Sequence, residues 1–476
     1  MRGVMKSYIL AILTSSLSLS AGPLTIGPDY QRPETDAPAR FKADDLGQWK
    51  VGAPSDHIPK GSWWEIFGDA KLNELERSAL VANQELKAAF ATVNQARATA
   101  RIARSEFFPT LDANPGFRRE RFSPNQEPDF GAITANTFRM PLDLSYEIDL
   151  WGRVRRGFES ARADAAATLA AFQNVMLTLQ ADVAQNYFRL RALDVEIATL
   201  QRSVELRKDQ LSIVTTRFET GLGRELDVAR ARTELATSEA DLAAASRQRV
   251  ELENALAILA GQQPSTFRIE AVADWRAEMP LIPAGLPSEL LERRPDIAEA
   301  ERQLAAENAR IGVAKASFFP ALRLTGSGGY LSADVESLFN WESRVWSIGP
   351  SISLPIFAGG RNRANYQRAK ARYEEAVARY RQRVLIAFAE VENSLAGIQL
   401  LSTQAAAQER ANISAREARD LANESFSAGI VQYIDVIDAD RAALQTQRAN
   451  AQIAGQQLVA AVQLIKALGG SWAVPL

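Results

Sequence analysis

The 20 prolines of this 476-residue chain leave two long stretches empty, residues 142–263 and 356–474. Proline in a helix interior costs about 3 kcal/mol, because it lacks the N–H and its ring meets the preceding turn. Each stretch is long enough for a pair of very long helices. In the first, Met176, Leu179, Val183, Leu190, Leu193, Ile197, Leu200, Val204, Leu211, Val214 and Phe218 keep a 3-4 spacing across six heptads, broken at Asn186 and Arg207. That spacing is a coiled-coil seam. A helix from about residue 155 to 220 would be roughly 100 Å long at 1.5 Å per residue, far beyond the needs of a compact globule. In the second stretch Val377, Val384, Val391 and Ile398 recur at seven, as do Tyr366, Tyr373 and Tyr380.

The two stretches belong to matching halves. "FETGLGRELDV" (218–228) recurs as "FSAGIVQYIDV" (426–436), "LAILAG" (256–261) as "LIKALG" (464–469), "EFFPTL" (106–111) as "SFFPAL" (317–322), and "WGRVR" (151–155) as "GGRNR" (359–363). An internal two-fold repeat is the simplest reading. Each half then runs helix, strand, strand, long helix, long helix.

The strands decide between a helical rod and a conduit. In "FRMPLDLSYEIDLWG" (138–152), Phe138, Met140, Leu142, Leu144, Tyr146, Ile148 and Leu150 alternate with polar Arg139, Asp143, Ser145, Glu147 and Asp149. In "VWSIGPSISLPIF" (345–357), Trp346, Ile348, Ile352, Leu354 and Ile356 alternate with Ser347, Gly349, Ser351 and Ser353. The pattern repeats more weakly at 110–122 and 321–331. Each segment has about the 9–11 residues that a tilted membrane strand needs. Four strands cannot close a barrel, since lipid tolerates no open edge and the smallest membrane barrels have about eight. Two, three or four copies would be required.

Composition excludes other classes. Lys plus Arg (55) nearly balance Asp plus Glu (57), so no net field points to nucleic acid. With no cysteine and one histidine, His57, thiol chemistry, disulfides and zinc sites built from such ligands are out of reach. "GSGGY" (326–330) fits no phosphate or dinucleotide loop, and no G-x-S-x-G elbow occurs. No enzymatic activity, metal or cofactor is expected. Arg2 and Lys6, then "YILAIL" and "TSSLSLSA", read as a secretory signal over 1–20. No later stretch approaches 18 consecutive apolar residues, so membrane entry is expected as strands.

Across nearly the whole chain the motifs resemble the TolC-like outer membrane efflux proteins, and among them the NodT-type outer membrane factors of drug-efflux pumps. The resemblance rests on "GPDYQRP" (27–33), "WWEIF" (63–67), "YEIDLWGRVRR" (146–156), "GLPSELLERRPDIAEAER" (285–302), "FFPALRLTG" (318–326), "SLPIFAGG" (353–360) and "ALGGSW" (467–472). It implies a mainly α chain that forms, as a homotrimer, a twelve-stranded β-barrel in the outer membrane continued by a coiled-coil α-barrel in the periplasm. Its implied partners are a periplasmic membrane-fusion adaptor, an inner-membrane pump of the RND type and outer membrane lipid. The expected parts are an extended segment (21–68), helical-barrel segments (69–108, 152–262, 289–319 and 358–470), strand pairs (109–151 and 320–357), a linker (263–288) and a tail (471–476). Relatives carry a lipid-modified cysteine before "GPDY"; here Pro23 stands in that place, so the usual acyl anchor is expected to be absent.

The resemblance also marks a gate. Asp435 and Asp438 in "GIVQYIDVIDADR" (429–441) lie three apart on one helix face. They align with the acidic pair that rings the periplasmic aperture in TolC-like proteins. Like charges about 4 Å apart repel by about 4 kcal/mol at an effective dielectric of 20, so three such pairs would attract cations and exclude anions. A solvated helix face with Arg441 pairing Asp438 is the plainer alternative. Ile434 is a candidate apolar constriction, and Asp227 holds the matching place in the first half. Val431 replaces the family's arginine, which leaves Arg224 or Arg230 for an ionic lock. Gly221 and Gly429 suit the left-handed end of a helix, and the tips Leu222 and Ile430 are where the resemblance places adaptor docking. Three functions remain open: an efflux duct, a duct for protein or oligosaccharide secretion, and a periplasmic coiled-coil scaffold without a pore.

Overall fold

A computed structural model of the chain describes residues 25–33, 61–123, 125, 133–276, 278–280 and 294–470. The expected signal segment, His57, parts of the extended segment and the linker, and the tail lie outside the described residues. In chain order the main elements are α1 (Ala70–Ala82), α2 (Gln84–Ser105), β1 (Thr110–Ala113), β2 (Gly116–Arg121), β3 (Thr134–Ile148), α3 (Arg153–Glu219), α4 (Glu225–Leu259), α5 (Pro295–Ala316), β4 (Ala321–Ser332), β5 (Arg344–Ser353), α6 (Arg361–Ser427) and α7 (Tyr433–Ala467). α3 and α6 each have 67 residues, and α4 and α7 each have 35. The chain divides into two compact units, one of Met1–Arg32, Ala96–Ala165 and Gln303–Val377, the other of Pro33–Gln95, Ala166–Arg302 and Ala378–Leu476.

The first unit holds one antiparallel sheet in which β1 and β2 both pair with β3, β3 with β4, and β4 with β5. The first strand expected from the sequence is split. Pro115 has no N–H to give the ladder, Pro141 of β3 lies opposite Asn114, and pairing resumes beyond the gap in the same register. β5 stops at Ser353, short of the expected 357. Register places most of the strong apolar residues on one face; Leu331 and Val345, near the strand ends, fall on the other. Leu144 stands between Leu111 and Gly326, Leu142 between Ala113 and Gly328, and Phe138 beside Phe117. Gly326 and Gly328 in turn meet Ile348 and Trp346, and Leu322 meets Ile352. This face is bare: Trp346 is 81% exposed, Ile348 70% and Ile352 73%. The other face is polar, with Asp143 accepting from Ser327 Oγ at 2.7 Å and from Asn114 Nδ2 at 3.1 Å.

At the corner between β3 and α3 the "YEIDLWGRVRR" motif acquires a purpose. Glu147 accepts from Arg153 Nε at 2.6 Å, Asp149 accepts from the Arg155 backbone N–H at 2.9 Å, and Trp151 Nε1 donates to Pro320 O at 2.7 Å. The "GPDY" segment straps this corner. Ile26 N–H donates to Trp151 O, Asn308 Nδ2 donates to Pro28 O, and Asp29 pairs at 2.8 Å with Arg156, which is buried. Gly27 is required there: at φ +122° a Cβ would sit 2.7 Å from Gly312 Cα.

In the second unit the heptad residues from Val183 to Val214 are buried or half-buried, as a seam requires; Phe218, at the end of α3, is exposed. Leu193 and Leu200 of α3 pack with Ala245 and Leu242 of α4 and Leu444 of α7. A wider core joins Trp63, Trp64, Leu72, Leu75 and Ala79 to Leu179, Tyr187, Leu190, Leu256 and Leu458. Asp194 ties the segment after α4 to this frame, accepting from Arg249 Nε at 2.7 Å, Arg191 Nη1 at 3.0 Å and Val272 N at 3.2 Å. By length and composition α6 is the one described helix able to cross a bilayer. Its apolar stretch nevertheless contains Glu390, bonded to Arg294 at 2.7 Å, and buries Val384, Phe388 and Val391 within the chain.

Glu76 on α1 is fully buried, and neither carboxyl oxygen has a hydrogen-bond partner among the described residues. Burial holds its pKa well above the usual carboxylate range. A raised native pKa favours folding fully below the unfolded value of about 4.3, and that contribution is lost as pH rises toward the native pKa. Glu76→Met is therefore expected to raise the thermal midpoint at pH 7–8, with the gain shrinking as pH falls from the native pKa toward the unfolded value of about 4.3. Thermal scans across pH check this, and a gain independent of pH would contradict it.

Candidate functional site

The candidate residues cluster at the turns that join α3 to α4 and α6 to α7. Both turns close in the same way. Gly221 (φ 78°) donates to Phe218 O and Leu222 N–H to Arg217 O, while Gly429 (φ 75°) donates to Phe426 O and Ile430 N–H to Ser425 O. This pair of bonds ends a helix with a left-handed residue, which glycine adopts without strain. The geometry turns the next side chain outward: Leu222 is 83% exposed and Ile430 77%.

The next helices begin three residues later, and both open with an acidic residue at the third position. At α7, Asp435 accepts from the Gln432 backbone N–H at 2.9 Å, and the Gln432 side chain accepts from the Asp435 backbone in return. This capping box satisfies N–H groups that the helix start would otherwise leave open, and places negative charge at the favourable end of the macrodipole. At α4, Asp227 instead binds the side chain of Arg224, from Nε at 3.0 Å and Nη2 at 3.2 Å, with Arg230 at 3.6 Å. Arg224 Nη2 also approaches Gln432 Oε1 at 3.5 Å, across the two turns.

The four residues named for a gate thus differ in surroundings. Asp435 and Asp438 are both exposed on α7. Asp227 is buried and already neutralised by arginines. Ile434 is half-buried against a cluster of Val214, Val228, Ala231, Tyr433, Val436 and Ile437. Arg441 lies 3.8 Å from Asp438, but its guanidinium is held by Glu234 of α4, which also binds Arg207 of α3. Asp438 is left the least engaged carboxylate of the set.

This Arg207–Glu234–Arg441 bridge was not visible as a pair in the sequence; the break in the α3 seam at Arg207 was its one trace. Burial raises the pKa of Glu234, but the hydrogen bond from Arg441 and the charge of Arg207 outweigh it, and the net shift is downward. Nearby Asp440, buried and bonded to Gln210 Nε2 at 2.6 Å, is shifted upward by burial. Tyr433 is pushed up to about 12, by burial first and then by the charge of Asp440. Among the described residues no cluster could hold a metal ion.

The chain matches the family model "Outer membrane efflux protein" over residues 75–262 and 286–470. It is 35% identical over 462 residues to the solvent efflux pump outer membrane protein SrpC of Pseudomonas putida, covering 96% of this chain and 97% of that one. It is 31% identical over 459 residues to the cation efflux system protein CusC of Escherichia coli (strain K12), covering 96% and 99%. Among solved structures, the Campylobacter jejuni CmeC outer membrane channel matches with a TM-score of 0.84 at 28% identity, over 94% of this chain and 95% of that one. The open state of the Neisseria gonorrhoeae MtrE outer membrane channel matches with a TM-score of 0.80 at 32% identity, over 94% and 98%.

Removing Glu234 would leave Arg207 buried without its counter-charge. Glu234→Ala is expected to cost about 3–5 kcal/mol in a denaturant titration at pH 7, the usual penalty for breaking a buried pair. Because the native pKa of Glu234 is lowered, its contribution is present above about 4.3 and fades as pH falls through the native value. The wild type and variant titrations should converge under acid conditions.

Proposed function

Because the chain belongs to the outer membrane efflux protein family, we propose that it works as a homotrimeric duct, passive and gated at its periplasmic turns, within a tripartite pump. It is an outer membrane efflux channel. The finer reading is that three copies pool four strands each into a twelve-stranded barrel, that the long helices continue its wall, and that the paired hairpins descend from a duplication. The observation that carries it is the register of the sheet: Leu111, Phe138, Leu142, Leu144, Trp346, Ile348 and Ile352 fall on one face, and Asp143, Glu147, Arg323 and Ser327 fall on the other, with Leu331 and Val345 the apolar exceptions near the strand ends. That is the division a lipid-facing wall with a wet bore requires.

At the proposed gate, Asp438 with Asp435 supplies the ring of charge, and Arg224, Asp227 and Gln432 supply the contact between neighbouring turns. Arg224 supports a lock here, whereas Arg230 is paired, among the described residues, with Asp227. The bare tips Leu222 and Ile430 suit apolar docking of a helical adaptor, which in turn would meet an inner-membrane pump of the RND type. The names of the relatives speak of solvents and cations as their cargo. For this chain the cargo class is small molecules handed on by the pump, since a duct need not discriminate. A secretion duct of the same fold, or a scaffold without a pore, are the competing readings.

In planar bilayers the protein is expected to carry cation-selective current, and a scaffold would pass none. Asp435→Asn with Asp438→Asn should raise conductance and weaken cation preference; unchanged values would remove the gate assignment. On the sheet, Leu142→Arg should cost about 2–4 kcal/mol of folding stability in bilayers, as charge on a lipid face does at mid-depth. Ser145→Arg on the polar face should cost much less, and equal costs would place the faces wrongly.

A further inference from the structure

Among the polar clefts of the second unit are two that share Arg207 and Leu444 but differ in charge. The larger, about 440 Å³, is self-neutralised: Arg207 and Arg441 are bound by Glu234, and Arg448 by Asp241 at 3.0 Å and Glu196 at 2.9 Å. The smaller, about 240 Å³, is lined by four arginines, Arg202 and Arg207 from α3 and Arg416 and Arg419 from α6, against one acidic residue, Asp440 of α7. Across the chain, acidic and basic residues nearly cancel, at 57 and 55. The excess of positive charge here is therefore local.

Two of the four guanidiniums have counter-charges elsewhere, Arg207 in Glu234 and Arg419 in Asp420 at 2.7 Å. The other two do not. Among the described residues Arg202 reaches only uncharged oxygens, Ala198 O at 3.2 Å and Thr199 Oγ1 at 3.4 Å. Arg416 makes no hydrogen bond or ion pair among the described residues. Asp440 adds a second, independent sign of a missing group. Its Oδ2 accepts from Gln210, while Oδ1 is buried without a hydrogen-bond partner among the described residues, with Asn423, Arg207 and Arg419 near the carboxylate.

We propose that this cleft binds a tetrahedral oxyanion of the phosphate class, held by Arg202 and Arg416 with Arg207 and Arg419 behind them. Guanidinium forks match the paired oxygens of such an anion and hold it more strongly than neutral donors. Ser203 and Gln447, also in the lining, add uncharged donors. Asp440 is the one acidic residue of the lining, and its burial raises its pKa, which weakens its opposition to an anion. Because Arg202 sits on α3 and Arg416 on α6, a bound oxyanion would bridge the α3–α4 hairpin to the α6–α7 hairpin. It would replace like-charge repulsion between them with attraction. The inference rests on the cleft alone and stands whether or not the duct reading holds.

The test is titration of the full-length protein in detergent with inorganic phosphate, read by calorimetry and by thermal midpoint, against sodium chloride at equal ionic strength. Phosphate should bind saturably and raise the midpoint where chloride does not, since a ligand specific to the native state stabilises by mass action. Arg202→Ala with Arg416→Ala should weaken phosphate binding at least tenfold while leaving the midpoint in chloride unchanged or higher. Both side chains are exposed, so folding should survive, and Arg202→Lys with Arg416→Lys should restore part of the binding. Equal effects of phosphate and chloride, or unaltered binding by the double alanine variant, would overturn the proposal. So would a wild type that ignores phosphate together with an alanine variant that dissociates more readily, which would assign these arginines to acidic side chains of a second copy.

Discussion

The backbone at the two edges of the sheet is the constraint from which the rest of the structure follows. β3 and β4 have paired neighbours on both sides, whereas β5 and the β1–β2 strand each have a neighbour on only one side among the described residues. In water an open edge is hydrated and tolerable. In hydrocarbon each unpaired N–H or C=O costs several kcal/mol, and no lipid-exposed sheet edge survives. An outer membrane chain with four strands' worth of sheet must find its missing bonds on other copies, which is why we propose the trimer. The same constraint fixes register, since a slip of one residue would turn Leu142, Leu144, Ile348 and Trp346 toward the proposed bore and Asp143 toward the proposed lipid face.

Long helices and short strands then meet at corners that the chain reinforces. The carboxylates of Glu147 and Asp149 hold Arg153 and Arg155 where β3 becomes α3, and the Gly27 to Asp29 strap closes over Gly312 and Arg156. At the far ends of α3 and α6, the glycine turns and first-turn carboxylates do the corresponding work. Asp435 serves its own helix start as well as the proposed gate. Its substitution must therefore be judged together with Asp438, which has no such local duty.

The parts of the fold that depend on periodicity were legible in the sequence. The heptads from Val183 to Val214 lie in the seam, and the alternation from Phe138 to Ile148 became one strand with one apolar face. The split at Asn114 and Pro115 was missed, because the apolar pattern continues through it and only the opposing Pro141 makes the break evident. Polar burial was less legible. Arg207, Glu234 and Arg441 look like surface residues one at a time, and their convergence depends on how three helices pack. Pairing of Arg441 with Asp438 was considered from spacing alone, yet tertiary packing gives Arg441 a better partner in Glu234. Likewise the "GPDY" motif was visible, but its close approach to Gly312 was not.

The most direct test of the shared barrel uses the absence of cysteine from this chain. Single cysteines placed along 116–121 and along 344–353, two per chain, would be oxidised in outer membranes and resolved under denaturing conditions. The account expects disulfides between different copies, in one register only, that accumulate as a covalent ring of three chains. Chains that remain monomeric at every pair of positions would contradict it.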